Sequence, residues 1–137
     1  MKEDFVTYDL AVKLKEKGFN GKCFAYYMPK GSELIFNKNQ FRGGIVEDCL
    51  YSNNSLPNEC MASDFVDAPT ISQVLKWLRE EKKIHVTTGV TPKSAWRYII
   101  MFCDERGLQE PTITEKNHPC YSSAVLAGIE YVINNLI

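Results

Sequence analysis

The sequence predicts an α+β fold: a two-layer sandwich in which a mainly antiparallel sheet of four to six strands carries about three helices, mostly on one face. Apolar residues recur at helical spacing in three segments, and alternating or β-branched runs come in pairs joined by short turns. Strands linked by hairpins need no crossover helix, which disfavours a parallel doubly wound sheet. We expect one domain spanning residues 1–137 with a single core.

The first predicted element is an amphipathic helix that begins after Thr7, whose hydroxyl can cap it. Leu10, Ala11 and Leu14 share one face of this helix, and Gly18 supplies its left-handed end. Residues 23–28 and 33–36 then flank a Pro-Lys-Gly-Ser turn, which predicts a β-hairpin. Residues 40–46 allow a further short strand, and a tight turn or a bulge at Gly43-Gly44 is the equal alternative.

A long polar, acidic loop is predicted at about residues 47–68, because periodicity vanishes there and Ser, Asn and Pro are frequent. After it, Thr70-Ile71-Ser72-Gln73 has the spacing of a capping box and predicts the start of a second helix. Residues 84–88 and 96–103 are expected to pair antiparallel around a turn at 91–94, and residues 112–114 predict an edge strand.

The last predicted element is a helix capped by Ser122 or Ser123. Its apolar face is broad enough to pack on a sheet and consists of Val125, Leu126, Ile129, Val132, Ile133 and Leu136.

Composition excludes several function classes. The net charge is −1, which argues against sequence-independent binding to nucleic acid or to an anionic membrane. The amino terminus has no signal-peptide pattern and five cysteines form no CxxC pair, so we expect a cytoplasmic protein with free thiols. Gly43-Gly44 is not followed by a helix pattern, which excludes a phosphate-binding loop, and no cofactor is expected.

Two kinds of Cys and His chemistry need to be weighed. Cys49, Cys60, His118 and Cys120 supply the ligand types that zinc prefers, although the eleven-residue spacing of the first two differs from that of ordinary zinc motifs. A thiol nucleophile is the other reading, with Cys120 just before the last helix and His118 or His85 as its base. The alternative without function is that the cysteines are ordinary thiols in loops and that the histidine is an ordinary surface side chain.

Aromatic side chains in the strands raise the alternative of base stacking by a single-stranded nucleic-acid binder. The residues concerned are Tyr26, Tyr27, Trp96, Tyr98 and Phe102. Alternation places apolar residues on both faces of the strand 96–103, which is more typical of core packing.

The central loop is the remaining candidate. Lys and Arg are absent between Gly43 and Leu75, so the segment is locally acidic. We expect it to contact another protein through Glu47, Asp48, Tyr51, Glu59, Asp64 and Asp67. The alternative is an ordinary solvated loop.

Several motifs resemble a group of small uncharacterised proteins of phages and mobile elements in anaerobic gut bacteria. They are Thr7-Tyr8-Asp9-Leu10-Ala11, Phe24-Ala25-Tyr26-Tyr27, Ala68-Pro69-Thr70, Val74, Trp77-Leu78-Arg79, Ile84-His85-Val86, Trp96-Arg97-Tyr98-Ile99, Tyr121-Ser122-Ser123 and Ala127-Gly128-Ile129-Glu130. The resemblance spans most of the chain outside the central loop and implies no activity.

The function predicted from the sequence is a non-enzymatic accessory or protein-interaction domain. Its partner is expected to be another protein, with a homodimer through a sheet face as one form, and neither a membrane nor nucleic acid is expected. A Cys/His enzyme or zinc protein and a single-stranded nucleic-acid binder are the alternatives.

Overall fold

A computed structural model describes residues 5–28, 33–36, 66–108, 110–114 and 116–137. The described elements confirm the α+β class, and their strands pair antiparallel. In chain order they are α1 (Tyr8–Glu16), β1 (Ala25–Tyr27), β2 (Leu34–Phe36), β3 (Val66–Ala68), α2 (Ile71–Glu81), β4 (Ile84–Val90), β5 (Trp96–Asp104), β6 (Gly107–Leu108), β7 (Thr112–Ile113) and α3 (Tyr121–Asn135).

The chain divides into two compact units, one ending at Thr70 and the other running from Ile71 to Ile137. Each unit contains its own sheet, so the described strands form two sheets where the sequence predicts one. The first sheet has the order β2-β1-β3, and the second has the order β4-β5-β6 with β7 also paired to β5. The single domain expected from the sequence stays a prediction.

In the first unit, α1 forms as predicted. The Oγ1 of Thr7 accepts a hydrogen bond from the N–H of Leu10 at 3.4 Å, and Gly18 adopts a φ of +91° just past the helix. Leu10, Ala11 and Leu14 are buried, which is the face that the periodicity predicts.

The predicted hairpin of the first unit is also confirmed, since β1 pairs with β2 and Tyr27 lies opposite Leu34. The other edge of β1 is occupied by β3, which forms from the last residues of the segment predicted as a loop over 47–68. This correction has a physical reason: β3 is three residues long and its partner is some forty residues away, so no local pattern announces it. The rest of that segment, the turn 29–32 and residues 40–46 lie outside the described residues.

In the second unit, β4 and β5 form the predicted hairpin with continuous register from Ile84 opposite Phe102 to Val90 opposite Trp96. Its turn is closed by hydrogen bonds from the N–H of Ser94 to the carbonyl of Thr91 at 2.9 Å and from the N–H of Thr91 to the carbonyl of Ala95 at 2.7 Å. The predicted edge strand is confirmed as β7, whereas β6 has no counterpart among the strands that the sequence predicts.

One face of the second sheet is covered by helix α3. A Cβ on Gly128 would lie 2.8 Å from Cγ1 of Val86 and 3.0 Å from Cβ of Tyr98, so only glycine permits this approach of helix to sheet. Ile84 and Val86 are buried on the same face, which we call the helix-bearing face. His85 and Thr87 alternate with them and are exposed on the opposite face, which we call the open face.

The start of α3 differs from the prediction. Its N-cap is Cys120, and Ser123, which the sequence offers as a cap, occupies the third helical position. Neither serine is the N-cap residue, because Tyr121 already adopts helical geometry before them, and Ser123 takes part in the cap from the third helical position. None of the helices in the described part of the chain is long and apolar enough to cross a membrane.

Candidate functional site

His118 and Cys120 are the two predicted zinc ligands that the structure describes, while Cys49 and Cys60 lie outside the described residues. The ring of His118 packs 6.1 Å from the ring of Tyr98, and its Nε2 is buried with no hydrogen-bond partner among the described residues. Cys120 is exposed. Among the described residues, no three His, Cys, Asp or Glu side chains come together in a group that could hold a metal ion.

His85, the other candidate base for Cys120, lies on the open face opposite Met101. The backbone of His118 pairs with Trp96, which lies five residues before Met101 on β5. At the rise per residue of a strand, the positions on β5 that pair with the two histidines are roughly 16 Å apart. The structure therefore separates the two histidines and does not bring His85 to Cys120.

Cys120 itself is tied into the start of α3. Its N–H donates to the Oγ of Ser123 at 3.4 Å, and the hydroxyl of Ser123 donates to the carbonyl of Cys120 at 3.0 Å. The thiol donates to the same Oγ at 3.4 Å. These contacts place Cys120 and Ser123 in the N-terminal cap of α3, which is a structural role and accounts for both side chains without a catalytic function.

Asp67 is the only predicted loop contact in the described residues, and the structure corrects its role. It lies in β3 opposite Tyr26 and is 2% exposed, so it is not a solvent-facing contact residue. Burial raises its pKa from 3.8 to about 6, an effect that Lys15 partly opposes. The other candidates, Glu47, Asp48, Tyr51, Glu59 and Asp64, lie outside the described residues.

Cys23 is buried in the same unit as Asp67. Burial raises the pKa of its thiol, and the nearby carboxylate of Asp67 raises it further. The thiol donates to the carbonyl of Gly21 at 3.4 Å. A protonated, buried thiol is a packing group rather than a nucleophile.

The aromatic side chains proposed for base stacking are mostly held by other protein groups. Tyr98 packs against His118 and also against Tyr131 of α3, in each case with ring centroids 6.1 Å apart. The hydroxyl of Tyr27 donates to the carbonyl of Val6 at 2.6 Å, and its ring makes an edge contact with Tyr8. These contacts favour the structural interpretation of both rings.

One cluster that the sequence reasoning missed is exposed. Val90 lies opposite Trp96 at the turn end of the β4–β5 hairpin, and the ring of Tyr121 meets that of Trp96 edge-on at 5.8 Å. Val90 is 57% exposed and Tyr121 is 46% exposed. We call Val90, Trp96 and Tyr121 the aromatic corner.

The signal for the aromatic corner is present in the sequence but cannot be read locally. Val90 precedes a turn, and Tyr121 begins a helix twenty-five residues after Trp96. What joins them is the backbone pairing of Trp96 with His118, whose two hydrogen bonds are 2.8 and 2.9 Å long. That pairing brings the start of α3 to the start of β5.

The open face is the other partly exposed apolar surface of the second unit. Ile99 and Met101 are half-buried on it, and Ile113, paired with Ile99, is 46% exposed. Arg97 shares this face, and its Nε is buried without a hydrogen-bond partner among the described residues. The sequence predicts cover on both faces of this strand, but within the second unit the described helix cover lies on the helix-bearing face.

Comparison with protein-family models, with curated proteins and with solved structures finds no match to this chain.

Proposed function

We propose that this chain is a non-enzymatic protein-interaction domain that binds another protein through the aromatic corner. The observation that carries the proposal is the exposure of Val90 and Tyr121 on either side of Trp96. Aromatic side chains are enriched in the few residues that dominate binding energy at protein interfaces. A cluster of apolar side chains left in water is also more typical of a contact surface than isolated exposed residues are.

The geometry of the corner favours binding because the rings are already positioned. The backbone of Trp96 is hydrogen-bonded to His118, and its ring is braced by Tyr121 at an interplanar angle of 82°. A rigid aromatic side chain loses little conformational entropy when a partner covers it.

The charge of the central loop adds an expectation about the partner's surface. Because it carries acidic residues and no Lys or Arg between Gly43 and Leu75, a partner with a basic surface would be attracted to it. The phage or mobile-element origin implied by the sequence resemblance and the cytoplasmic location belong to the same proposal. The predicted homodimer through a sheet face stays a prediction, and within the described part of the second unit the open face carries apolar residues that suit it, namely Ile99, Met101 and Ile113.

The two alternatives have less support from the described residues. For a Cys/His enzyme, the Nε2 of His118 is buried, and the thiol of Cys120 donates to the Oγ of Ser123 at the start of α3. For a nucleic-acid binder, Tyr98 is packed against protein groups, which makes its ring a poor stacking platform.

The test compares two variants in which glutamine replaces an apolar or aromatic side chain at sites of equal exposure. Tyr121→Gln removes the ring from the aromatic corner, and Ile113→Gln changes an equally exposed apolar residue on β7. The tagged full chain is used to capture proteins from the cells that express it, and the captured proteins are quantified by mass spectrometry. We expect Tyr121→Gln to reduce capture of the specific partner at least about tenfold and Ile113→Gln to leave it unchanged.

Circular dichroism and thermal unfolding establish that both variants are folded. Equal capture by the wild type and by Tyr121→Gln would overturn the proposal, as would a partner lost only with Ile113→Gln.

A further inference from the structure

His118 lies at the point where the chain leaves the second sheet and enters α3. Its backbone exchanges two hydrogen bonds with Trp96, in which the N–H of each residue donates to the carbonyl of the other at 2.8 and 2.9 Å. Tyr121, the first helical residue of α3, follows three positions later. The position of the Tyr121 ring beside Trp96 therefore depends on how rigidly this short link is held.

The link between His118 and Tyr121 has little conformational freedom. The ring of Pro119 fixes the φ of that residue and keeps the residue before it extended. Cys120 is the N-cap of α3, and its backbone is hydrogen-bonded in both directions to the side chain of Ser123. Because each residue of the link is restricted, the position of His118 determines that of Tyr121.

The side chain of His118 is buried, with 9% of its surface exposed. Its ring packs on the ring of Tyr98, two residues after Trp96 on β5, at a tilt of 44°. The backbone pairing with Trp96 is an isolated bridge outside the strands. Since a hydrogen bond adds little net stability in water, two of them alone would hold this segment weakly. The buried ring supplies the additional contact.

The ring of His118 contributes through its packing. Its Nε2 is buried and has no hydrogen-bond partner among the described residues. A buried polar atom without a partner lowers stability, so the favourable part of the contact comes from the ring surface that covers Tyr98. An apolar ring of similar shape should therefore serve in its place.

We propose that His118 is a positioning residue for the aromatic corner: its buried ring anchors the start of α3 to β5 and thereby holds Tyr121 against Trp96. The inference rests on the proposed function of this corner, but the geometry that it concerns can be measured without a partner. His118 is buried, so it acts on binding only through the contact between the two exposed-side rings of the corner.

NMR of the full chain measures that ring contact directly. The edge contact of Trp96 with Tyr121 should give nuclear Overhauser effects between their ring protons, and Tyr121→Gln identifies the signals that depend on it. We expect His118→Ala to lose most of these effects and to reduce capture of the specific partner at least about fivefold. His118→Phe should retain both, because the phenyl ring keeps the packing on Tyr98 and buries no unpaired nitrogen.

Tyr131→Ala is the matched control. Tyr131 also packs on Tyr98, with ring centroids 6.1 Å apart, but it lies in α3 outside the link. We expect this variant to lower the unfolding temperature while the ring effects of the aromatic corner persist. If His118→Ala does not fold, His118→Leu, which removes the ring and fills more of its space, takes its place with the same expected result.

Three results would overturn the inference. One is equal loss of the ring effects in Tyr131→Ala and His118→Ala, which would show a general packing defect. The others are ring effects that survive His118→Ala, and ring effects that are lost with His118→Phe. The proposed function fails separately, since unchanged capture by Tyr121→Gln would remove it and leave the NMR comparison of the His118 variants intact.

Discussion

Asp67 is a carboxyl group whose burial favours the neutral form. Its pKa of about 6 in the folded chain lies above the ordinary value of 3.8, so the folded state holds the proton more tightly than the unfolded chain does. The free energy of unfolding should therefore be greatest below pH 4 as far as this group is concerned, and its contribution falls as the pH rises from about 4 to about 6. The pKa change corresponds to about 3 kcal/mol at neutral pH.

Asp67→Asn removes this titration. We expect it to raise the free energy of unfolding at pH 7 by up to about 3 kcal/mol, and by much less at pH 4, because a neutral amide carries no ionisation cost. Urea unfolding at several pH values measures this, with Glu33→Gln as a control at an exposed carboxylate. Wild type and Asp67→Asn that differ by the same amount at both pH values would contradict the assignment.

Gly128 is a helix residue at which replacement by alanine should lower stability, the opposite of what helix propensity alone predicts. Alanine is favoured over glycine by about 1 kcal/mol inside a helix. Here the added Cβ would meet Val86 and Tyr98 within 3.0 Å, so we expect Gly128→Ala to destabilise by about 1–3 kcal/mol. Thermal unfolding checks this, with the exposed Asn134→Ala as control. A stabilised Gly128→Ala variant would show that α3 does not approach the sheet so closely.

The start of α3 provides a test at the level of a single element. Ser123 both accepts from the N–H of Cys120 and donates to its carbonyl. Ser123→Ala should cost about 1 kcal/mol in the free energy of unfolding, whereas Ser122→Ala, one residue earlier in the same helix, should cost less. Equal effects of the two substitutions, measured by chemical denaturation, would argue against the cap.

Elements with a local pattern could be predicted from the sequence, and those defined by distant pairing could not. The helix α1 has its cap, stripe and terminal glycine within twelve residues, and the β4–β5 hairpin has alternation on both sides of one turn. In contrast, β3 is recognised only through β1, and the division into two sheets follows from that pairing. The order and type of elements are thus more readable than their partners.

The same limit applies to the candidate site. Charge made the central segment prominent in the sequence, yet Asp67 proves to be buried. The aromatic corner depends on the pairing of Trp96 with His118 and on the exposure of Val90, neither of which a local pattern encodes. Exposed apolar residues and buried ones have the same side chains, and only the fold distinguishes them.

At the scale of the whole molecule, the single domain predicted from the sequence requires that the two units unfold together. Both tryptophans, Trp77 and Trp96, lie in the second unit, so their fluorescence reports on that unit. If the units are coupled, Asp67→Asn in the first unit should shift the fluorescence-detected urea midpoint at pH 7 upward, together with the midpoint from circular dichroism. If Asp67→Asn leaves the fluorescence-detected urea midpoint unchanged at pH 7, the two units unfold independently.

The proposed function is tested most directly by photo-crosslinking in the cells that express the chain. A photoreactive phenylalanine analogue replaces Tyr121 in one variant and Ile113 in another, and adducts are identified by mass spectrometry. The account predicts a discrete adduct with a different protein from position 121 and none from position 113. No adduct at position 121, equal adducts at both positions, or an adduct only with a second copy of this chain would contradict it.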